Sequence, residues 1–221
     1  MLDSNLKKNE SPAHACIIWM HGLGADASDM AGLAAQPPIS ELPVSHIFMD
    51  APVRPVTINA GMKMRAWYDI IGFELSDRED KEGILQSQAQ IFEVINAQLN
   101  AGFRADQIVL AGFSQGGAMA LHTALHCNLP LAGVIALSAY LPLALECKPV
   151  LSQDTPIFLG FGQFDPVVIP EWTKVSGRWL VANGYNQITL QQYPMEHAIC
   201  GEEINDIALW LSNHLRGVEA I

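Results

Sequence analysis

The sequence has few basic residues and no long apolar run, and both shortages restrict what the protein can do. Twelve Lys and Arg against 23 Asp and Glu give a net charge of −11 at pH 7. Basic surfaces bind phosphate backbones and anionic lipids, so this charge balance argues against a nucleic-acid partner. No uninterrupted apolar stretch approaches the roughly 20 residues of a membrane span, so no integral membrane association is expected.

The sequence also shows no paired cysteines and no apolar stretch of the kind expected in a secretory leader. Its four cysteines are scattered, without a Cys-x-x-Cys pair, and its first ten residues are polar. Cysteines in this arrangement indicate free thiols in a reducing compartment. The polar start has no apolar h-region of a secretory signal. We therefore predict a cytoplasmic protein, and no motif implies a metal or an organic cofactor.

Short apolar runs alternate with segments of helical periodicity, without repeats or long linkers. Solid apolar strands separated by helices predict a mostly parallel, doubly wound sheet with helices on both faces. We expect one domain over residues 1–221, with 1–14 as a flexible or edge segment. Strands are predicted at 16–20, 44–49, 107–113, 132–137, 155–160 and 188–193. Helices are predicted at 78–101, 116–126, 171–183 and 202–215.

A nucleophile is predicted at Ser114, within Gly112-Phe-Ser-Gln-Gly116. Gly-x-Ser-x-Gly between a strand and a helix places the serine on a sharp, strained turn. The two glycines remove side chains that would collide where the chain doubles back. The alternative serine, Ser138, also follows a strand but has no flanking glycines, which favours a place in the pocket wall.

An imidazole must take the serine proton, and a carboxylate must orient the imidazole. In this class of site the partners follow in the order Ser, acid, His. His197 follows a late strand and precedes the last helix, and Asp165 follows the strand predicted at 155–160. We predict these two residues as the base and the acid. His122 and His126, four apart on one helix, have metal-ligand spacing but no evident third ligand.

An oxyanion intermediate needs preorganised N–H donors. One donor is expected from the residue after the nucleophile, Gln115, and the second from the glycine-rich turn His21-Gly-Leu-Gly-Ala-Asp26. Within that turn, Leu23 N–H is the predicted donor.

Apolar side chains near the serine would hold an acyl chain. We predict Met62, Trp67, Tyr140 and Val167 as substrate-binding residues. Packing of the 57–68 segment against the domain explains its apolar residues equally well. The apolar loop Ile70–Leu75 is a candidate lid.

The motifs together resemble the acyl-protein thioesterase and bacterial carboxylesterase/phospholipase branch of the α/β-hydrolases, from about residue 15 to the last helix. The resemblance implies an α/β-hydrolase fold, a triad of Ser114, Asp165 and His197, and oxyanion donors at Leu23 and Gln115. One departure is Phe161-Gly162 where the family has His-Gly, and another is Pro166 after the acid. The motifs are His21–Asp26, Pro55–Asn59, Ala66–Asp69, Leu110–Gly117, Ala136–Pro142, Gly162–Val168 and Tyr193–His197.

The predicted activity is hydrolysis of carboxylic esters or acyl thioesters through an acyl-enzyme. The resemblance implies acyl esters, lysophospholipids or acylated proteins as substrates. The alternatives are a non-catalytic binding protein for hydrophobic ligands on the same fold, a peptidase, and an interaction module that forms a homodimer through the apolar loop. A homodimer is compatible with catalysis.

Overall fold

A central sheet of six parallel strands organises the computed structural model, which describes residues 14–72 and 79–215. The strand order is β2-β1-β5-β6-β7-β8, and β3 and β4 form a separate antiparallel pair. The strands are β1 Ala15–Met20, β2 Val44–Met49, β3 Val53–Val56, β4 Met62–Arg65, β5 Ile108–Phe113, β6 Gly133–Leu137, β7 Ile157–Gly162 and β8 Ile188–Tyr193. The helices are α1 Ala27–Ala34, α2 Lys81–Asn100, α3 Gln115–Leu125, α4 Pro170–Ala182 and α5 Gly201–His214.

Helices cover both faces of the sheet, which explains why its central strands are apolar at every position. Successive side chains of a strand point to opposite faces. In β1, Cys16, Ile18 and Met20 join the core beneath α2 and α3, whereas Ile17 and Trp19 join the core beneath α1 and α5. The predicted doubly wound, mostly parallel fold is confirmed.

Two elements were not predicted from the sequence. Helix α1 has only eight residues and begins at Asp26, whose carboxylate accepts a hydrogen bond from Ser28 N–H at 2.8 Å. The hairpin of β3 and β4 contains Pro55, which cannot donate to a strand ladder and obscures the strand pattern. Both elements lie directly beside the predicted site. The sequence-based description of the residues around Ser114 was therefore incomplete.

Most predicted boundaries differ from the observed ones by one or two residues. The helix predicted at 78–101 is the larger exception, because α2 begins at Lys81. Residue 78 lies outside the described residues. Asp80 caps this helix by accepting a hydrogen bond from Gly83 N–H at 2.9 Å. Within 14–72 and 79–215, no helix combines the length and the apolar character needed to cross a bilayer.

Candidate active site

Ser114 occupies the turn between β5 and α3. Its backbone has φ 53° and ψ −122°, a sparsely populated conformation for a residue with a side chain. Hydrogen bonds hold the turn on both sides, since Ser114 N–H donates to Leu137 O at 2.8 Å and Ser114 O accepts from Ala118 N–H at 3.0 Å. The serine is therefore fixed at the N-terminus of a buried helix, beyond the carboxyl end of a central strand.

Two glycines allow this turn, as the sequence predicted. A Cβ at Gly112 would overlap the backbone of Gly116, and a Cβ at Gly116 would overlap the carbonyl groups of Met20 and His21. The helix following Ser114 thus packs directly on its own strand and on the end of β1. Any larger residue at either position would force these backbones apart.

Asp165, His197 and Ser114 form one continuous hydrogen-bonded chain. His197 Nδ1–H donates to Asp165 Oδ2 at 2.7 Å, and Ser114 Oγ–H donates to His197 Nε2 at 3.0 Å. The three side chains come from the loops after β5, β7 and β8, which end at the same edge of the sheet. The structure therefore brings together the three residues that the sequence singled out.

The Asp165 carboxylate is buried and has hydrogen-bond partners at both oxygens. Oδ1 accepts from the N–H groups of Val167 and Val168 at 2.8 and 2.9 Å, while Oδ2 faces His197. Pro166 does not disturb this arrangement, because the donors follow it. Phe161 is buried in β7, with Lys174 Nζ 5.4 Å from its ring centroid.

The turn after β1 runs directly beside the serine. A Cβ at Gly22 would lie 3.4 Å from Ser114 Cβ, so the glycine lets this turn approach. Leu23 and Gln115 line the same cavity as Ser114 and His197. The positions predicted as oxyanion donors therefore flank the serine, and Gln115 begins a helix whose first N–H groups have no intrahelical acceptor.

A cavity of about 600 Å³ opens over Ser114. Tyr140 and Val167 line it, whereas the other two residues predicted to bind substrate do not. Met62 is 64% exposed in the β3–β4 hairpin, and Trp67, two residues after β4, is completely buried in the main core. Ile70 and Gly72 of the proposed lid line the cavity, while 73–75 lie outside the described residues.

Three lining residues, Tyr68, Glu79 and Trp172, were not among the predicted substrate-binding residues. Tyr68 OH donates to Tyr140 OH at 3.2 Å, and Trp172 of α4 packs edge-on against Tyr140 with centroids 5.8 Å apart. Glu79 also lines the cavity, and burial raises the pKa of its carboxyl group. The groove is thus largely apolar, with one polar wall formed by Tyr68, Tyr140 and Glu79.

Ser138, which the sequence placed in the pocket wall, is not among the residues that line the cavity, and neither are His122 and His126. Ser138 is buried with φ 44°, and its hydroxyl has no hydrogen-bond partner within the described residues. Burial lowers the pKa of His122 to about 4, and its ring lies 4.4 Å from that of His126. Over the described ranges, no three His, Cys, Asp or Glu side chains are grouped to hold a metal ion.

Comparison with known proteins gives a consistent result. Residues 3–215 match the model of the phospholipase/carboxylesterase family. Acyl-protein thioesterase 1 of Neurospora crassa is 39% identical over 216 residues, which cover 91% of this chain and 87% of that protein. Acyl-protein thioesterase 1 of Schizosaccharomyces pombe is 40% identical, over 79% of this chain and 80% of that protein.

Solved structures show the same architecture. SOBER1 of Arabidopsis thaliana superposes with a TM-score of 0.82 at 26% identity, covering 91% of this chain and 99% of that chain. Acyl-protein thioesterase 2 of Zea mays gives a TM-score of 0.80 at 28% identity, covering 91% of this chain and 94% of that chain. The chain therefore belongs to the phospholipase/carboxylesterase family of α/β-hydrolases.

Proposed function

We propose that the protein is a serine hydrolase that cleaves acyl thioesters and carboxylic esters through a covalent acyl-enzyme. The observation that carries this proposal is the chain of hydrogen bonds from Asp165 through His197 to Ser114, which ends in the wall of an apolar groove. A buried carboxylate, an imidazole and a serine in this order are the parts that acyl transfer requires.

In the first half-reaction, Ser114 Oγ attacks the substrate carbonyl carbon while His197 Nε2 takes the hydroxyl proton. Asp165 holds the imidazole with Nδ1–H toward itself and stabilises the imidazolium that forms. The N–H groups of Leu23 and Gln115 stabilise the tetrahedral oxyanion. His197 Nε2–H then protonates the leaving alcohol or thiol as the carbon–oxygen or carbon–sulfur bond breaks.

In the second half-reaction, water attacks the Ser114 acyl carbonyl carbon while His197 Nε2 takes one of its protons. Collapse of the second tetrahedral intermediate returns that proton to Ser114 Oγ and releases the carboxylic acid. No step requires a metal or an organic cofactor.

The names of the relatives and the walls of the groove support an acyl chain as the recognised part of the substrate. Acylated proteins, lysophospholipids and small acyl esters share this group. Ile58, Ile70, Val168 and Trp172 offer apolar contact along the groove. The net charge of −11 does not favour nucleic acid as a partner. Four free cysteines support the proposed cytoplasmic location.

Hydrolysis of p-nitrophenyl esters from acetyl to dodecanoyl, followed by a palmitoyl thioester, tests this proposal. Ser114→Ala should lower the rate by about a thousandfold or more. Ser152→Ala is the matched control. Ser152 is exposed and does not line the cavity, so this variant should retain full activity. Equal inactivity of wild type and Ser114→Ala on every substrate would contradict catalysis and favour a binding protein for hydrophobic ligands.

A further inference from the structure

Two successive carbonyl groups in the turn after β1 are held by buried hydrogen bonds. The first, His21 O, accepts from the indole Nε1–H of Trp67 at 2.8 Å. The second, Gly22 O, accepts from the ring of His21 itself, whose Nδ1 lies 2.7 Å away. These carbonyl groups belong to the two peptide groups that immediately precede Leu23.

The His21 ring is fixed in one tautomer by a third contact. Its Nε2 accepts a hydrogen bond from Ala51 N–H at 3.0 Å, which leaves the proton on Nδ1, facing Gly22 O. The ring is completely buried and lies against the indole of Trp67, with centroids 5.5 Å apart. His21 therefore has no freedom to turn its donor away from the loop.

Both main-chain polar groups of Trp67 are also hydrogen-bonded. Its N–H donates to Gln115 Oε1 at 2.8 Å, and its C=O accepts a hydrogen bond from Ser87 Oγ in α2. One buried residue thus connects the turn after β1, the residue next to the nucleophile and a helix of the core. Trp67 is absent from the lining of the groove, so its contacts are with the protein rather than with an acyl chain.

We propose that Trp67 and His21 are positioning residues that aim the Leu23 N–H at the oxyanion. In a trans peptide the C=O and the N–H point in opposite directions. Fixing Gly22 O through the His21 ring therefore fixes the direction of Leu23 N–H, because both belong to one planar group. Trp67 fixes the peptide group before it, through His21 O, and so holds the backbone on which that group turns. This inference rests on the proposed serine hydrolase function and replaces the acyl-binding role that the sequence suggested for Trp67.

Trp67→Phe tests the inference because it keeps an aromatic ring and removes the indole donor. We expect kcat on p-nitrophenyl esters to fall about 10- to 100-fold while KM changes less than about twofold. Affinity for an alkyl trifluoromethyl ketone, which forms a tetrahedral oxyanion on the serine, should fall by the same factor as kcat/KM. A role confined to stability would lower the melting temperature without this parallel loss.

Trp210→Phe is the matched control. Trp210 is a buried residue of α5 whose indole N–H has no hydrogen-bond partner in the described part of the chain. This variant should keep wild-type kcat and wild-type affinity for the ketone. A second pair of variants tests the His21 contact. An asparagine at this position can donate a side-chain N–H to Gly22 O from near the place of Nδ1, whereas leucine cannot. His21→Asn should therefore retain markedly more kcat than His21→Leu.

Three results would overturn the inference: unchanged kcat and ketone affinity in Trp67→Phe, a raised KM at constant kcat, or a loss explained by the unfolded fraction alone. Ser114→Ala separates these failures from failure of the proposed function. If Ser114→Ala is inactive and Trp67→Phe is normal, only the positioning role is wrong. If wild type is inert, or Ser114→Ala stays active, both proposals are wrong.

Discussion

Gln115 binds the main chain at Trp67 and Tyr68 with both ends of its side-chain amide. Its Oε1 accepts from Trp67 N–H at 2.8 Å, and its Nε2 donates to Tyr68 O at 2.7 Å. Gln115 thereby holds the chain segment that carries one wall of the groove. Its side chain is buried, and both ends of its amide bind the protein's own main chain, so the amide contributes to the framework of the site.

Gln115→Met should therefore destabilise the protein strongly. The substitution keeps the volume but leaves a buried N–H and a buried C=O without partners, which costs about 1–3 kcal/mol for each group. We expect the free energy of unfolding in urea to fall by about 2–4 kcal/mol. The same change at Gln86, an exposed residue of α2, should have almost no effect. Equal stability of the two variants would contradict the structural role of the amide.

Asp165→Asn should nearly abolish hydrolysis without unfolding the protein. Asparagine can still accept the N–H bonds of Val167 and Val168 through Oδ1, so the loop is retained. Its amide N–H₂ would meet His197 Nδ1 and favour the wrong imidazole tautomer, which lowers kcat by about 10³- to 10⁴-fold in a triad. Asp154→Asn, at the opposite end of β7, is the control and should be fully active. A small loss in Asp165→Asn would remove Asp165 from the proposed mechanism.

The backbone strain at Ser114 predicts a difference between two inactive variants. A residue with φ 53° and ψ −122° costs about 1–3 kcal/mol unless it is glycine. Ser114→Gly should therefore be more stable than Ser114→Ala by about 1 kcal/mol in urea unfolding. At Ser45, in β2, the order should reverse, because glycine weakens a strand. Greater stability of Ser114→Ala would show that the turn is unstrained.

Glu203 predicts the pH dependence of stability. Burial, with a smaller contribution from the charge of Asp206, raises the pKa of this carboxyl group to about 8, and neither oxygen has a hydrogen-bond partner among the described residues. Between its ordinary value of 4.5 and 8, the folded state keeps a proton that the unfolded state has released. The free energy of unfolding should therefore fall as the pH rises through this interval, by roughly 4 kcal/mol in total.

Glu203→Gln cannot ionise, so its stability relative to wild type should increase from pH 4.5 to pH 8. Melting temperatures of the two proteins should be similar at pH 4.5 and should diverge at pH 8, with the variant higher. Glu202→Gln, at the exposed neighbouring position, should follow wild type at every pH. Parallel curves for wild type and Glu203→Gln would contradict burial of an ionisable group at this position.

The central strands of the main sheet were predictable because burial on both faces leaves a solid apolar run, as in β1. Helix α1 was not, since its three buried positions form too short a stripe to distinguish from a turn. For the site, the order of elements identified which loops would meet beside Ser114. Sequence alone could not show that Met62 is exposed in the β3–β4 hairpin while Trp67, just after it, is buried in the core, because that depends on how this segment packs.

In the proposed mechanism, the order of the strands along the chain also determines when, during synthesis, the three residues of the site can meet. His197 follows Ser114 by 83 residues, and the loop that carries it comes after β8, an edge strand that pairs with β7. A ribosome-bound chain that has completed β6 therefore carries Ser114 without the imidazole that the proposed mechanism requires. Only after residues through 197 have been translated can β8 add to the sheet and bring the imidazole to the serine, so the proposed mechanism leaves the nascent protein inert toward cellular esters until β8 is in place.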